Sequence, residues 1–179
     1  MNEKTFLFRK NSPYVLYSTS MAQKFCELRI KAIVLHRKTH EPSAVLQDTT
    51  DLRMVTVPVD LGDAGALMAG AAQVESGLPF PQNAVCELFA EHGFVAEGLL
   101  LRPGRQNRFE TVLRYHAGRK QHEINVRAGE GLSLSLYFEV PVMMSNEDLA
   151  ACGTCGLPGS LDYFSQEVVL LDSPFAHRT

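Results

Sequence analysis

The chain predicts a single α/β (α+β) domain, a mixed, largely antiparallel sheet with two or three helices packed against it. Three observations lead there. The sequence has 179 residues, 45% of them hydrophobic, which suffices for one well-buried core. Strand-like alternation dominates the first third, before any helical spacing appears. Gly-rich elbows at Gly62-Asp63 and at Gly129 to Gly131 then separate strand patterns from helical ones.

Residues 1–22 are mixed, broken by Asn11-Ser12-Pro13, and are expected to be an N-terminal extension. The domain proper is expected over 23–151. In "FCELRIKAIVLH", Cys26, Leu28, Ile30, Ala32 and Val34 alternate with Glu27, Arg29 and Lys31, the pattern of a half-buried strand. "SAVLQD" and "LRMVTVPVD" are two more strands, with a turn around Asp48 to Asp51. The three form an antiparallel meander. Gly62-Asp63 opens a helix in "AGALMAGAAQVE", with Asp63 the expected N-cap, and the small side chains suit close packing. After the Gly/Pro-punctuated "SGLPFPQN", "AVCELFAEHG" carries a helical apolar stripe of Val85, Leu88 and Phe89, with Gly93 as C-cap.

"FVAEGLLL" and "FETVLRYH" read as a hairpin around the basic turn "RPGRQNR", and "KQHEINVR" as a further strand. Leu132, Leu134 and Leu136 fit period two, whereas Leu132, Ser135 and Leu136 fit a helix. Gly129 and Gly131 favour a strand-to-helix turn, so a helix to about Phe138 is expected. Ser145 to Asp148 is a capping box that starts a short helix. A tail over 152–179 holds the loop "CGTCGLPGS" and one late strand, "EVVLLD".

Composition excludes some functions. The formal net charge is −3 and the pI about 6.1, so there is no general attraction for nucleic acid or anionic membrane, and phosphate binding must be local. Every apolar run falls far short of the ~20 residues of a membrane span. The N-terminus lacks the pattern of a secretory signal, and four cysteines make no disulfide scaffold. A reduced, cytoplasmic protein is expected. Neither GxSxG, a Walker-type loop nor HExxH occurs, which leaves acyl transfer, nucleotide hydrolysis and a zinc-hydrolase reading without support.

Over roughly Phe25 to Ala150 the order of these patterns resembles the bifunctional nuclease domain family, a small α/β domain of bacteria and plants. "VPVDLG" before an Ala-rich helix is similar to the family's "LPIWIGxxEA". "LPFPQNAVCELFAEHGFVAEGLLL" is similar to "RPxTHDLLxxLLxxLGxxVxxVxI". "EINVRAGEGLSLSLYFEVPVMMSNEDL" is similar to "xIDARPSDAIALALRxxxPIxVxxxxL", with Arg127, Glu130 and Pro141 on the family's Arg, Asp and Pro. The family's Thr-His-Asp falls on Pro81-Gln82-Asn83, its first-helix Glu on Gly65, and the Arg before the retained Pro79 on Leu78. The resemblance implies a nuclease that hydrolyses phosphodiesters of RNA or DNA with Mg²⁺ or Mn²⁺. The lost polar positions open an alternative, a non-catalytic binding or assembly domain that kept the fold.

Arg127 with Glu130 is the leading candidate site. A guanidinium grips phosphate bidentately, and a carboxylate holds a divalent cation or orients water. Equally, Glu130 is a first-turn acid that Arg127 could simply pair with. Asp60 and Asp63 flank Gly62 at the other junction and could join Glu130 around a metal if the junctions converge; otherwise they are a turn acid and a cap. Arg102, Arg105 and Arg108, with Arg114, Arg119 and Lys120 nearby, are the one basic concentration, and Phe109 and Tyr115 could stack on bases. Cys152 and Cys155 supply two thiols, half of a structural zinc site; zinc shared across a dimer, redox pairing and incidental thiols are all open. His116 and His122 flank a hairpin turn and could face each other across it. A homodimer is expected, through the Ala/Gly-rich helix and a sheet edge covered by "EVVLLD".

Overall fold

The computed structural model describes residues 25–36, 38–50, 52–72, 81–105, 108–155 and 169–170. The chain begins with the expected meander, β1 (Phe25–Leu35), β2 (Pro42–Asp48) and β3 (Arg53–Pro58). Two helices follow, α1 (Leu61–Ala72) and α2 (Pro81–His92), then a three-strand run, β4 (Phe94–Pro103), β5 (Phe109–Ala117) and β6 (Lys120–Arg127). The chain continues through α3 (Ala128–Tyr137), β7 (Val142–Ser145), α4 (Asn146–Cys152), β8 (Thr154–Cys155) and β9 (Val169–Leu170). All these strands join one sheet, in the order β6-β5-β4-β7-β1-β2-β3-β8, with β9 paired to β1. Neighbours are antiparallel except β4 and β7, which run parallel because the chain returns through β5, β6 and α3 between them.

The expected α/β architecture is what forms, and the short fourth helix is the one the capping box announced: the Ser145 hydroxyl accepts the Asp148 N–H at 3.0 Å. Residues 128–137 are helical rather than extended, as the two glycines favoured. Gly93 ends α2 at φ +67, a left-handed position natural to glycine. In "CGTCGLPGS" the expected loop is interrupted, since Thr154 and Cys155 pair with β3.

The alternation in β1 needs a correction. Ile30 pairs with Leu46 and Ala32 with Val45, so Lys31 is an extra residue that shifts the register. Leu28 and Ile30 therefore share the helix-covered core with Ile33, while Ala32 and Val34 turn to the opposite face and pack with Val45. The main core joins Leu28, Leu46, Leu99 and Leu113 of the sheet to Leu67, Phe89 and Leu132 of the helices. Leu88 does not belong to the buried stripe of α2; it is 50% exposed while Phe89 is buried. No helix among the described residues is long and apolar enough to cross a membrane.

Candidate functional site

Two strand-to-helix junctions, β3 to α1 and β6 to α3, come together. At the first, the Asp60 carbonyl accepts the Ala64 N–H at 2.9 Å and its Oδ1 accepts the Asp63 N–H at 2.7 Å. Asp60 is therefore the N-cap and Asp63 a residue inside the first turn, which corrects the cap expected from sequence. The correction follows from helix phase, because α1 starts at Leu61, ahead of Gly62.

At the second junction Arg127 is both the last residue of β6 and the N-cap of α3, with extended backbone and no side-chain cap bond. The Thr111 hydroxyl fixes this strand end, reaching the carbonyls of Val126 at 2.8 Å and Arg127 at 3.2 Å. The freed guanidinium spans both junctions. Its Nη1 donates to Asp60 Oδ2 at 3.1 Å and its Nη2 to Glu130 Oε1 at 2.9 Å. The contact with Arg127 holds Glu130 below the usual carboxylate range. Asp60 is lowered chiefly by the Asp63 N–H bond and secondarily by Arg127. Glu130, Asp60 and Asp63 keep Arg127 firmly protonated.

Asp63 behaves in the opposite way. It is 8% exposed, and burial, followed by the Asp60 charge, raises its carboxyl. Its side chain rests on the backbone of α3 at Gly129, where an added Cβ would fall inside the carboxylate, 2.6 Å from Asp63 Cβ and Cγ. Gly131 is equally enclosed: a Cβ there would meet Thr111 Oγ1 at 2.5 Å and Leu99 Cδ1 at 2.9 Å. These two glycines set the depth at which α3 enters the core and thus the position of Arg127. In the sequence they signal only a tight turn, because Asp63, Leu99 and Thr111, which enclose them, are far away in the chain.

The acids that could hold Mg²⁺ or Mn²⁺ are Asp60, Asp63 and Glu130. They do not fit the group. Among the described residues no cluster of three or more His, Cys, Asp or Glu is arranged to hold a metal ion. The guanidinium already engages one oxygen of Asp60 and one of Glu130. Gln82 is buried with Oε1 lacking a hydrogen-bond partner, and a Cβ on Gly65 would meet nothing within 4 Å.

The basic concentration divides. Strand pairing sets Arg102 opposite Glu110 and Glu110 opposite Arg127, so the exposed Arg102, Arg105 and Arg108 lie at the same end of the sheet as Arg127. Arg119 and Lys120 lie at the far end, and Arg114 is paired with Glu123 at 2.8 Å. The aromatics expected to stack on bases serve packing instead. Phe109 and Tyr115 lie against the main core, with Tyr115 5.3 Å from Phe89 and stacked on His122.

His116 and His122 do not face each other, because β5 and β6 pair His116 with Gln121 and Tyr115 with His122. His116 instead bonds Glu97 at 2.6 Å, and Gln121 bonds the other Glu97 oxygen at 2.7 Å, a cluster without a sequence signal. Cys152 donates to the Asp148 carbonyl at 2.9 Å, and burial raises its thiol. Burial also pushes Cys86 up to about 11. The Cys155 side chain lies outside the described residues, as do residues 1–22.

No family model matches the chain, and no curated protein matches it.

Proposed function

We propose that this chain is a non-catalytic binding domain with the fold plan of the bifunctional nuclease family, engaging RNA or DNA through phosphate contacts alone. The observation that carries this reading is the Arg127 guanidinium seated between Asp60 and Glu130. It gives the converging acids a structural partner where hydrolysis would need them open to a metal and substrate. Arg102, Arg105 and Arg108 beside that cluster supply exposed cations without a stacking platform, so binding is weak, insensitive to sequence and steeply salt-dependent. The competing proposal is phosphodiester hydrolysis at the two converged junctions, which needs Asp60 and Glu130 released from Arg127 before they could hold a metal.

One experiment separates the two. Folded protein is incubated with single-stranded RNA in Mg²⁺ or Mn²⁺, with and without EDTA, and both cleavage and retention of the strand are measured. The binding reading expects intact RNA in every lane, with retention lost when Arg102, Arg105 and Arg108 are changed to Glu. Cleavage that EDTA abolishes and that Asp60→Asn removes would establish the hydrolase. Intact RNA with no retention at low salt would defeat both.

We further infer self-association as a homodimer. The small residues of α1 serve contacts within the chain: Ala64 and Ala66 are buried, and Gly70 meets the Tyr137 ring. β9 likewise pairs with β1 of its own chain. The remaining support is the outer side of α1, where Leu61 is 75% and Met68 36% exposed.

A further inference from the structure

The turn from β4 to β5 presents guanidinium groups and no ring. Two backbone bonds close it: the Gly104 N–H donates to the Arg108 carbonyl at 2.7 Å, and the Arg108 N–H to the Arg105 carbonyl at 3.2 Å. The loop backbone is thus tied to itself while its cations stay in solvent. Arg102, Arg105 and Arg108 are exposed, and none is in an ion pair among the described residues.

The aromatic side chains are turned inward. Phe25, Phe94, Phe109, Tyr115, Tyr137 and Phe138 are partly buried and Phe89 is buried, so no described phenylalanine or tyrosine is exposed. The exposed imidazoles of His92 and His122 lie on Phe94 and Tyr115, towards the opposite end of the strands from Arg102. A single strand gains affinity by stacking its unpaired bases on exposed rings. The arginine end offers it none. A double helix keeps its bases stacked on one another and presents phosphate at about one charge per 1.7 Å of axis. Exposed guanidinium groups without a ring match that form of nucleic acid.

The footprint is also bounded. Glu110 stands opposite both Arg102 and Arg127 in the strand register, and Asp60 and Glu130 hold Arg127. A phosphate chain carried further along this end of the sheet therefore meets carboxylates.

We propose that the β4–β5 turn binds a nucleic-acid double helix in preference to a single strand, with one phosphate each at Arg102, Arg105 and Arg108. The proposal rests on the nucleic-acid-binding reading above and names the form of nucleic acid taken. Phosphate is the group contacted, which DNA and RNA duplexes share. Counterion release at about three phosphates gives a salt slope of about −2.7 for a duplex, against about −2.1 for a single strand. Equal affinities at about 1 M salt then leave the duplex about six-fold tighter at about 50 mM.

Fluorescence anisotropy of the full chain tests this, in EDTA, with a DNA duplex of about 20 base pairs and with one of its strands, chosen free of self-complementarity. The duplex is expected to bind about six-fold more tightly at about 50 mM salt, and to weaken about 40-fold by about 200 mM where the strand weakens about 20-fold. Arg105→Gln should lower the duplex slope by about one. Arg119→Gln, exposed at the far end of the sheet, should leave it unchanged. A strand bound as tightly as the duplex, an unchanged slope in Arg105→Gln, or equal weakening by Arg119→Gln overturns the proposal and leaves nucleic-acid binding itself standing. Absence of binding by either form at about 50 mM salt removes both.

Discussion

Arg127 and Asp63 occupy one junction and are held in opposite ways, which pH can reveal. Asp60 and Glu130 are depressed in the folded protein, so their contribution is present above their ordinary values, 3.8 and 4.5, and lost as pH falls through the folded values. Asp63 is raised by burial, so the folded state binds its proton more tightly than the unfolded state does. Its stabilising contribution is present below the ordinary 3.8 and is lost as pH rises through the folded value. Asp63→Asn keeps the shape that rests on Gly129 and removes that titration. Its stability relative to wild type should therefore rise from pH 3.8 toward neutrality and then level off, measured by urea unfolding at a series of pH values. A flat difference across the range would mean that Asp63 titrates normally. The Arg127–Glu130 pair was legible in sequence because the partners stand three positions apart at a helix start. The Asp60 contact bridges 67 positions and depends on where α3 meets α1, which no local pattern encodes. Which acid of "DLGD" caps the helix depends on helix phase alone, and the Asp60–Ala64 hydrogen bond settles that phase in favour of Asp60 rather than the expected Asp63.

At the level of elements, glycine carries two different meanings that the sequence writes identically. Gly129 and Gly65 both lie in helices, where replacement by Ala ordinarily gains about 0.5–1 kcal/mol. At Gly65 a Cβ meets nothing within 4 Å, so Gly65→Ala should give that gain. At Gly129 the Cβ enters the Asp63 carboxylate, and forcing the α1–α3 contact apart costs about 1–3 kcal/mol, enough to reverse the sign. Thermal unfolding of the two single variants checks the pair. Stabilisation by both would show that the α1–α3 contact yields without cost. Element type was readable wherever turn chemistry and period agreed, as in the β4–β5 hairpin, the capping box at Ser145 and the glycine after α2. The assignment of faces failed at Lys31, where one inserted residue exchanges the faces of Ala32 and Val34. It failed again at Leu88, whose helical spacing matches the buried stripe but whose side faces outward. In both cases the deciding partner lies on another strand or helix.

For the whole molecule, the balance between inner and outer surfaces decides the association state. The features that suggested a dimer from sequence, small residues in α1 and an apolar late strand, are largely engaged inside the chain. The exposed edge strand β6 carries Lys120, Glu123 and Arg127, charges that discourage edge-to-edge pairing. The proposed dimer is assigned to the outer side of α1, where Leu61 and Met68 expose apolar surface around Gly65. That route has a specific consequence. Leu61→Glu combined with Met68→Glu places two like charges per chain against the same patch of a symmetric partner, and should convert dimer to monomer without lowering the melting temperature of the isolated chain. Multi-angle light scattering across micromolar concentrations gives the mass. A dimer mass that survives the double change would move the interface elsewhere, and a monomer mass for the wild type would end the dimer proposal. Gly65→Ala adds a second reading of the same contact: a methyl group at the centre of a close helix pair weakens association, whereas on a solvent-facing helix it only raises stability.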